Sequence, residues 1–125
     1  MLKRYFAVLI LLGIFSFLSF GQGGVDYKDP DTLKQLIEKK DKDYFLIDVR
    51  TDREYGSGFI PSAINIPYDV IGNNLPTEDR SALIVVYCAS GSRSGRAKQA
   101  LDELGFKNVI NFGRVGRWKW ELKKP

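Results

Sequence analysis

From Val25 onward, short apolar runs alternate with stretches of helical period, the sequence form of βαβ units around a parallel sheet. Leu33, Leu36 and Ile37 fall at i, i+3 and i+4, which predicts a helix capped by Asp29 or Asp31 and ending in the charged residues 38–43. Residues 44–47 read as a buried strand with Asp48 at its carboxyl end. A short helix at 52–55 leads through Gly56, Ser57 and Gly58 to Pro61, and residues 63–66 form a small strand that Pro67 stops. Residues 68–78, with Gly72 and Pro76, are mostly connection.

The clearest central strand is 82–87, where Leu83, Ile84, Val85 and Val86 are continuous apolar sequence, as a strand covered on both faces requires. Cys88 follows it. Ala97, Ala100, Leu101 and Leu104 then share one helix face, and Gly105 stands in the position of a left-handed cap. Residues 108–110 make a last short strand. The tail from 114 to 124 predicts a closing helix with Trp118 and Trp120 partly on the core and its basic residues facing water.

The start of the chain is a separate unit. Lys3 and Arg4 precede an uncharged apolar run from Tyr5 to Phe20, followed by Gly21, Gln22, Gly23 and Gly24. A basic start, an apolar stretch and a small-residue exit are the order of a secretory signal, so residues 1–21 are expected to direct export to a periplasmic or secreted location. The alternative is an uncleaved membrane anchor, although sixteen residues rise only about 24 Å as a helix. The folded domain is expected at 25–122. Contact with a membrane is expected only if the apolar start is retained.

The chain has 125 residues, 44% of them hydrophobic, enough for one domain with its own core. Its net charge of +4 falls to +2 without Lys3 and Arg4 (4 − 2), so no nucleic-acid partner is implied. One cysteine leaves no internal disulfide, and a lone thiol in an oxidising compartment suggests that it is kept for its reactivity. With no histidine there is no Cys-His or Ser-His pair, and neither a metal nor a cofactor is expected.

Chemistry concentrates in one segment: Cys88, Ala89, Ser90, Gly91, Ser92, Arg93, Ser94. It joins a buried strand to an amphipathic helix, at the carboxyl end of the sheet where open α/β folds bind ligands. Small residues let backbone N–H groups converge on one point, and the helix adds its positive end. Such a site lowers a thiol pKa without histidine and holds a persulfide as an anion. Arg93 offers a planar fork for an oxyanion such as the sulfonate of a sulfur donor. The plainer alternative is a structural cysteine before an ordinary turn, with Ser90, Ser92 and Ser94 as helix caps.

The pattern Cys88-x-x-Gly91-x-Arg93-Ser94 resembles the active-site loop of the rhodanese family. Residues 46–51 with Glu54 and Tyr55, then 58–67, resemble its other signature segment, and Gly105-Phe106-x-Asn108-Val109 with Gly113 and Trp118 its closing one. The resemblance implies a three-layer α/β/α fold around a parallel sheet of about five strands. It also implies Cys88 as the catalytic residue of a thiosulfate-type sulfurtransferase, passing sulfur from a small donor to a thiophilic acceptor, a thiol protein among the candidates, as a monomer. Four residues between Cys88 and Arg93, against five in related cysteine phosphatases, suit a single sulfur atom. Phe59 stands where the family often has His, Ser62 where it often has Gly, Ala89 where many members carry a basic residue, and Arg114 where a second Gly is common. Asp48, Arg50 and Glu54 read as structural support, Arg50 and Glu54 being four apart and able to pair. Two other readings remain open: a non-catalytic binding module of this shape, and an envelope thiol-redox protein.

Overall fold

The computed structural model describes residues 24–125. The apolar segment 1–21 lies outside them, and among the described residues no helix is long and apolar enough to cross a membrane.

Helix α1 (Pro30–Lys39) begins at Asp29, whose carboxylate accepts from the Thr32 N–H at 2.9 Å; Pro30 needs no donor there. Strand β1 (Phe45–Asp48) follows, then the one-turn helix α2 (Asp52–Gly56), started by a reciprocal Thr51–Glu54 capping box. Strand β2 (Ile64–Asn65) is two residues long because Pro67 closes it. After a 3₁₀ turn at Ile71–Asn73 come β3 (Ile84–Cys88), α3 (Ser92–Glu103) and β4 (Val109–Arg114). Helix α3 ends as its sequence predicts: Gly105 takes a φ of 93°, and the Gly105 and Phe106 N–H groups bond back to Asp102 and Leu101.

The four strands are parallel, in the order β2-β1-β3-β4. Leu33 and Leu36 of α1 cover one face with Val85, Tyr87, Phe112 and Trp118. Ala97 and Leu101 of α3, with Ile71, cover the other over Ile47, Ile84, Val86 and Val109. β3 is buried at every position, which is why its sequence is apolar without alternation.

Two expectations are corrected. The sheet has four strands among the described residues, where about five were expected; the additional pairing is a single antiparallel bridge between Phe59 and Lys123. It cannot lengthen, since the next paired position is Pro61, which has no N–H, and on the other side the Ser57 N–H is committed to Glu54. The tail forms no closing helix. A 3₁₀ turn at Val115–Arg117 gives way to extended chain, which the Phe59–Lys123 bridge and the packing of Leu122 hold against the first core layer.

Candidate active site

Cys88 is the last residue of β3 and is fully buried, with its side chain on the α3 face beside Val86. The loop Ala89, Ser90, Gly91 then turns back over the sulfur. Gly91 has a φ of 98°, open to glycine without strain, and this conformation aims its N–H at Cys88 Sγ from 2.9 Å. Ser94, also fully buried, lies one turn into α3 with Oγ 3.5 Å from Sγ and 3.0 Å from the Gly91 carbonyl.

These contacts set the thiol's acidity. Burial, the largest single influence, pushes the Cys88 thiol up. Against it stand the Ser94 hydroxyl and the backbone N–H groups of Ser94, Gly91 and Ser90, which together hold it below its ordinary value. Ser94 has one hydroxyl proton. In the thiol form Sγ–H donates to Ser94 Oγ, which donates to Gly91 O; in the thiolate form the Ser94 proton turns to the sulfur.

The charged side chains around the loop form two ion pairs. Arg93 is paired: both its terminal nitrogens donate to Glu54, at 2.7 and 2.9 Å, while its charge still acts on Cys88. Glu54 therefore pairs with Arg93 and not with Arg50, tying α2 to α3. The Arg93 hydrogen bonds, the largest influence, hold the Glu54 carboxyl down at about 2 against the opposing effect of burial. Arg50 turns instead to Asp48. Nε reaches both carboxylate oxygens at 2.9 and 3.0 Å, and NH2 reaches Oδ2 at 2.6 Å and the Gly58 carbonyl at 2.7 Å. Asp48 also accepts the Arg50 backbone N–H, as its strand-end position predicts. The pair is buried and joins the end of β1 to the Gly58 carbonyl.

Ala89, Ser90 and Ser92 are exposed at the loop's outer surface. The N-cap of α3 is Gly91, which has no side chain to offer; of the three serines, Ser90 accepts from the Ser92 N–H at the helix start, at 3.5 Å. Ser94 is the residue whose role the sequence under-reads. Its signal was a small hydroxyl at the third helical position, close enough to reach back over the preceding loop. Gly113 was likewise missed as part of the site. It has a φ of 99° beside a bulge in β4 that leaves Phe112 unpaired, and a Cβ on Gly91 would meet its Cα at 3.7 Å. A glycine inside a strand pattern is the sequence sign of such a bulge. Among the described residues no cluster of side chains suited to a metal is present.

Two departures at Phe59 and Ser62 also find a place. Phe59 stacks on Tyr55 at 4.2 Å between ring centres, and Ser62 holds a φ of 74°, where glycine would be unstrained, with its hydroxyl 2.8 Å from the Tyr44 hydroxyl.

Comparison with known proteins agrees with this geometry. A model of the rhodanese-like domain matches residues 29–116. The Bacillus subtilis protein YtwF is 41% identical over 91 residues, covering 73% of this chain and 87% of the relative. The thiosulfate:glutathione sulfurtransferase of Saccharomyces cerevisiae is 29% identical over 102 residues, covering 70% of this chain and 73% of the relative. The crystal structure of a rhodanese-like domain protein from Staphylococcus aureus superimposes with a TM-score of 0.66 at 33% identity, covering 77% of this chain and 94% of the other.

Proposed function

The chain belongs to the rhodanese-like domain family, as a sulfurtransferase of that type, and from this premise we propose that Cys88 carries one sulfur atom as a persulfide from a donor such as thiosulfate to a thiophilic acceptor. The observation that carries the reading is the Gly91 N–H at 2.9 Å from a buried sulfur whose acidity is raised by converging donors.

The chemistry balances without an added oxidant. The Cys88 thiolate attacks the outer sulfur of thiosulfate; the sulfur–sulfur bond of the donor breaks and sulfite leaves with the electron pair. The new terminal sulfur is an anion. The same backbone N–H groups that favour the thiolate are suited to it. An acceptor thiolate then attacks that terminal sulfur, the bond to Cys88 breaks, and the Cys88 thiolate is restored. Glutathione, an acceptor in the name of the yeast relative, has the required chemistry. Ser94 exchanges its hydrogen bond between Gly91 and the sulfur as the charge appears and disappears.

The test is intact-mass analysis of the protein incubated with thiosulfate, before and after addition of cyanide or glutathione. One sulfur should be gained at Cys88 and lost to the acceptor, and Cys88→Ser should fold and gain none. Equal transfer by Cys88→Ser would overturn the reading.

A further inference from the structure

Arg93, the loop's own cation, lies close enough to feel the charge of Cys88, but Glu54 offsets its charge, and Ala89 supplies none. We propose that Arg114 is the specificity-determining cation, drawing anionic sulfur donors to Cys88; this rests on the sulfur-transfer reading above.

The bulge in β4 sets the register. It skips Phe112 in the pairing, so that Gly113 stands opposite Tyr87 and Arg114 opposite Cys88. Residues in register on neighbouring parallel strands lie about 4.8 Å apart and project to the same face. Cys88 projects to the α3 face, and Arg114 therefore projects there as well, from the strand end that closes against the loop at the Gly91–Gly113 contact. Without the bulge, Gly113 would oppose the cysteine and the arginine would fall on the other face.

Four arginines lie on the first two turns of α3, at the end of β4 and on the chain just after it, and three are engaged. Arg93 holds Glu54, Arg96 lies over the Tyr68 ring at 5.7 Å, and Arg117 donates to the Phe112 carbonyl at 2.7 Å while covering that residue's ring at 5.0 Å. Arg114 is exposed, and among the described residues no carboxylate lies within ion-pair distance of it. Its charge is thus available to a ligand at the sulfur.

Two alkylating reagents of matched shape test this on the full chain. Iodoacetate carries a negative charge and iodoacetamide none, and both react with the Cys88 thiolate. Arg114→Gln should slow iodoacetate roughly 3- to 10-fold and iodoacetamide less than about 2-fold, the range for unit charges about 6 Å apart at a hydrated surface. Arg114→Lys should restore most of the difference, and added salt should shrink it in the unaltered protein. The KM for thiosulfate, which carries two charges, should rise in Arg114→Gln by more than that factor, up to its square, at constant kcat. Equal effects on both reagents, or none on either, would overturn the proposal. The reagent ratio needs no sulfur transfer, so a protein that shows the ratio yet gains no sulfur would refute the functional reading and leave the assignment of Arg114 to anion attraction in place.

Discussion

At Cys88 two opposing effects meet, and the small residues around it decide the balance. Burial alone would raise the thiol's pKa; the Gly91 N–H and the Ser94 hydroxyl, at 2.9 and 3.5 Å, help to outweigh it. Ser94→Ala removes one of those donors and leaves the burial, so the thiol pKa should rise. The rate of persulfide formation should then fall most at low pH, where the thiolate is scarcest, and recover as pH rises; a rise of one in the thiol pKa would slow it by up to about tenfold. A rate-against-pH profile with an unmoved midpoint would show that Ser94 only packs. The φ of 98° at Gly91 explains why this position tolerates no side chain cheaply: any other residue would hold its N–H on the sulfur only at a cost of about 1–2 kcal/mol.

Between elements, the Glu54–Arg93 pair links α2 to α3 and so sets the position of the helix that supplies Ser94. Glu54 sits at about 2 in the folded protein against an ordinary 4.5. A depressed carboxyl stabilises the fold fully above the higher value, and that contribution is lost as pH falls from 4.5 toward 2. Both side chains are about one-third exposed, so screening reduces the contribution to about 1 kcal/mol. Urea unfolding of Glu54→Gln should show that deficit at pH 7 and a narrowing gap below pH 4; a gap independent of pH would mean that the carboxylate acts by shape alone. The Thr51 capping box draws on the same side chain, and a glutamine oxygen can still accept the Thr51 N–H, so α2 should keep its cap in the variant.

Over the whole molecule, two apolar layers close the sheet, and the tail completes the first of them. The Phe59–Lys123 bridge contributes hydrogen bonds of 2.9 and 2.8 Å, and Leu122 packs against the same cluster, touching the face of Gly58. Ending the chain after Trp120 removes both. The loss should be about 2–4 kcal/mol, from two backbone bonds and part of a leucine side chain, read as a lower urea midpoint. An unchanged midpoint would show that the last five residues only rest on the surface. Asp48 and Arg50 work at this scale too. They fasten the end of β1 to the Gly58 carbonyl from inside the fold, and Asn65 ties the same strand end to β2 through the Asp48 and Arg50 carbonyls.

Local spacing along the chain is enough to place the elements and the locus of chemistry. Apolar period separates the fully buried β3 from the amphipathic α1 and α3, Gly105 ends α3, and the loop of small residues after a buried strand marks Cys88; each of these signals lies within a few residues of the feature it specifies. The pairing of side chains came only with folding. Arg50 lies four residues from Glu54 but takes Asp48, and Glu54 reaches a residue 39 positions away, because a carboxylate at a buried strand end must be matched by a cation. The tail's apolar residues fit a helix equally well, and it was the bond to Phe59 that drew them out into extended chain. The bulge that places Arg114 beside Cys88 is likewise a matter of register between two strands, and register is a relation that neither strand carries alone.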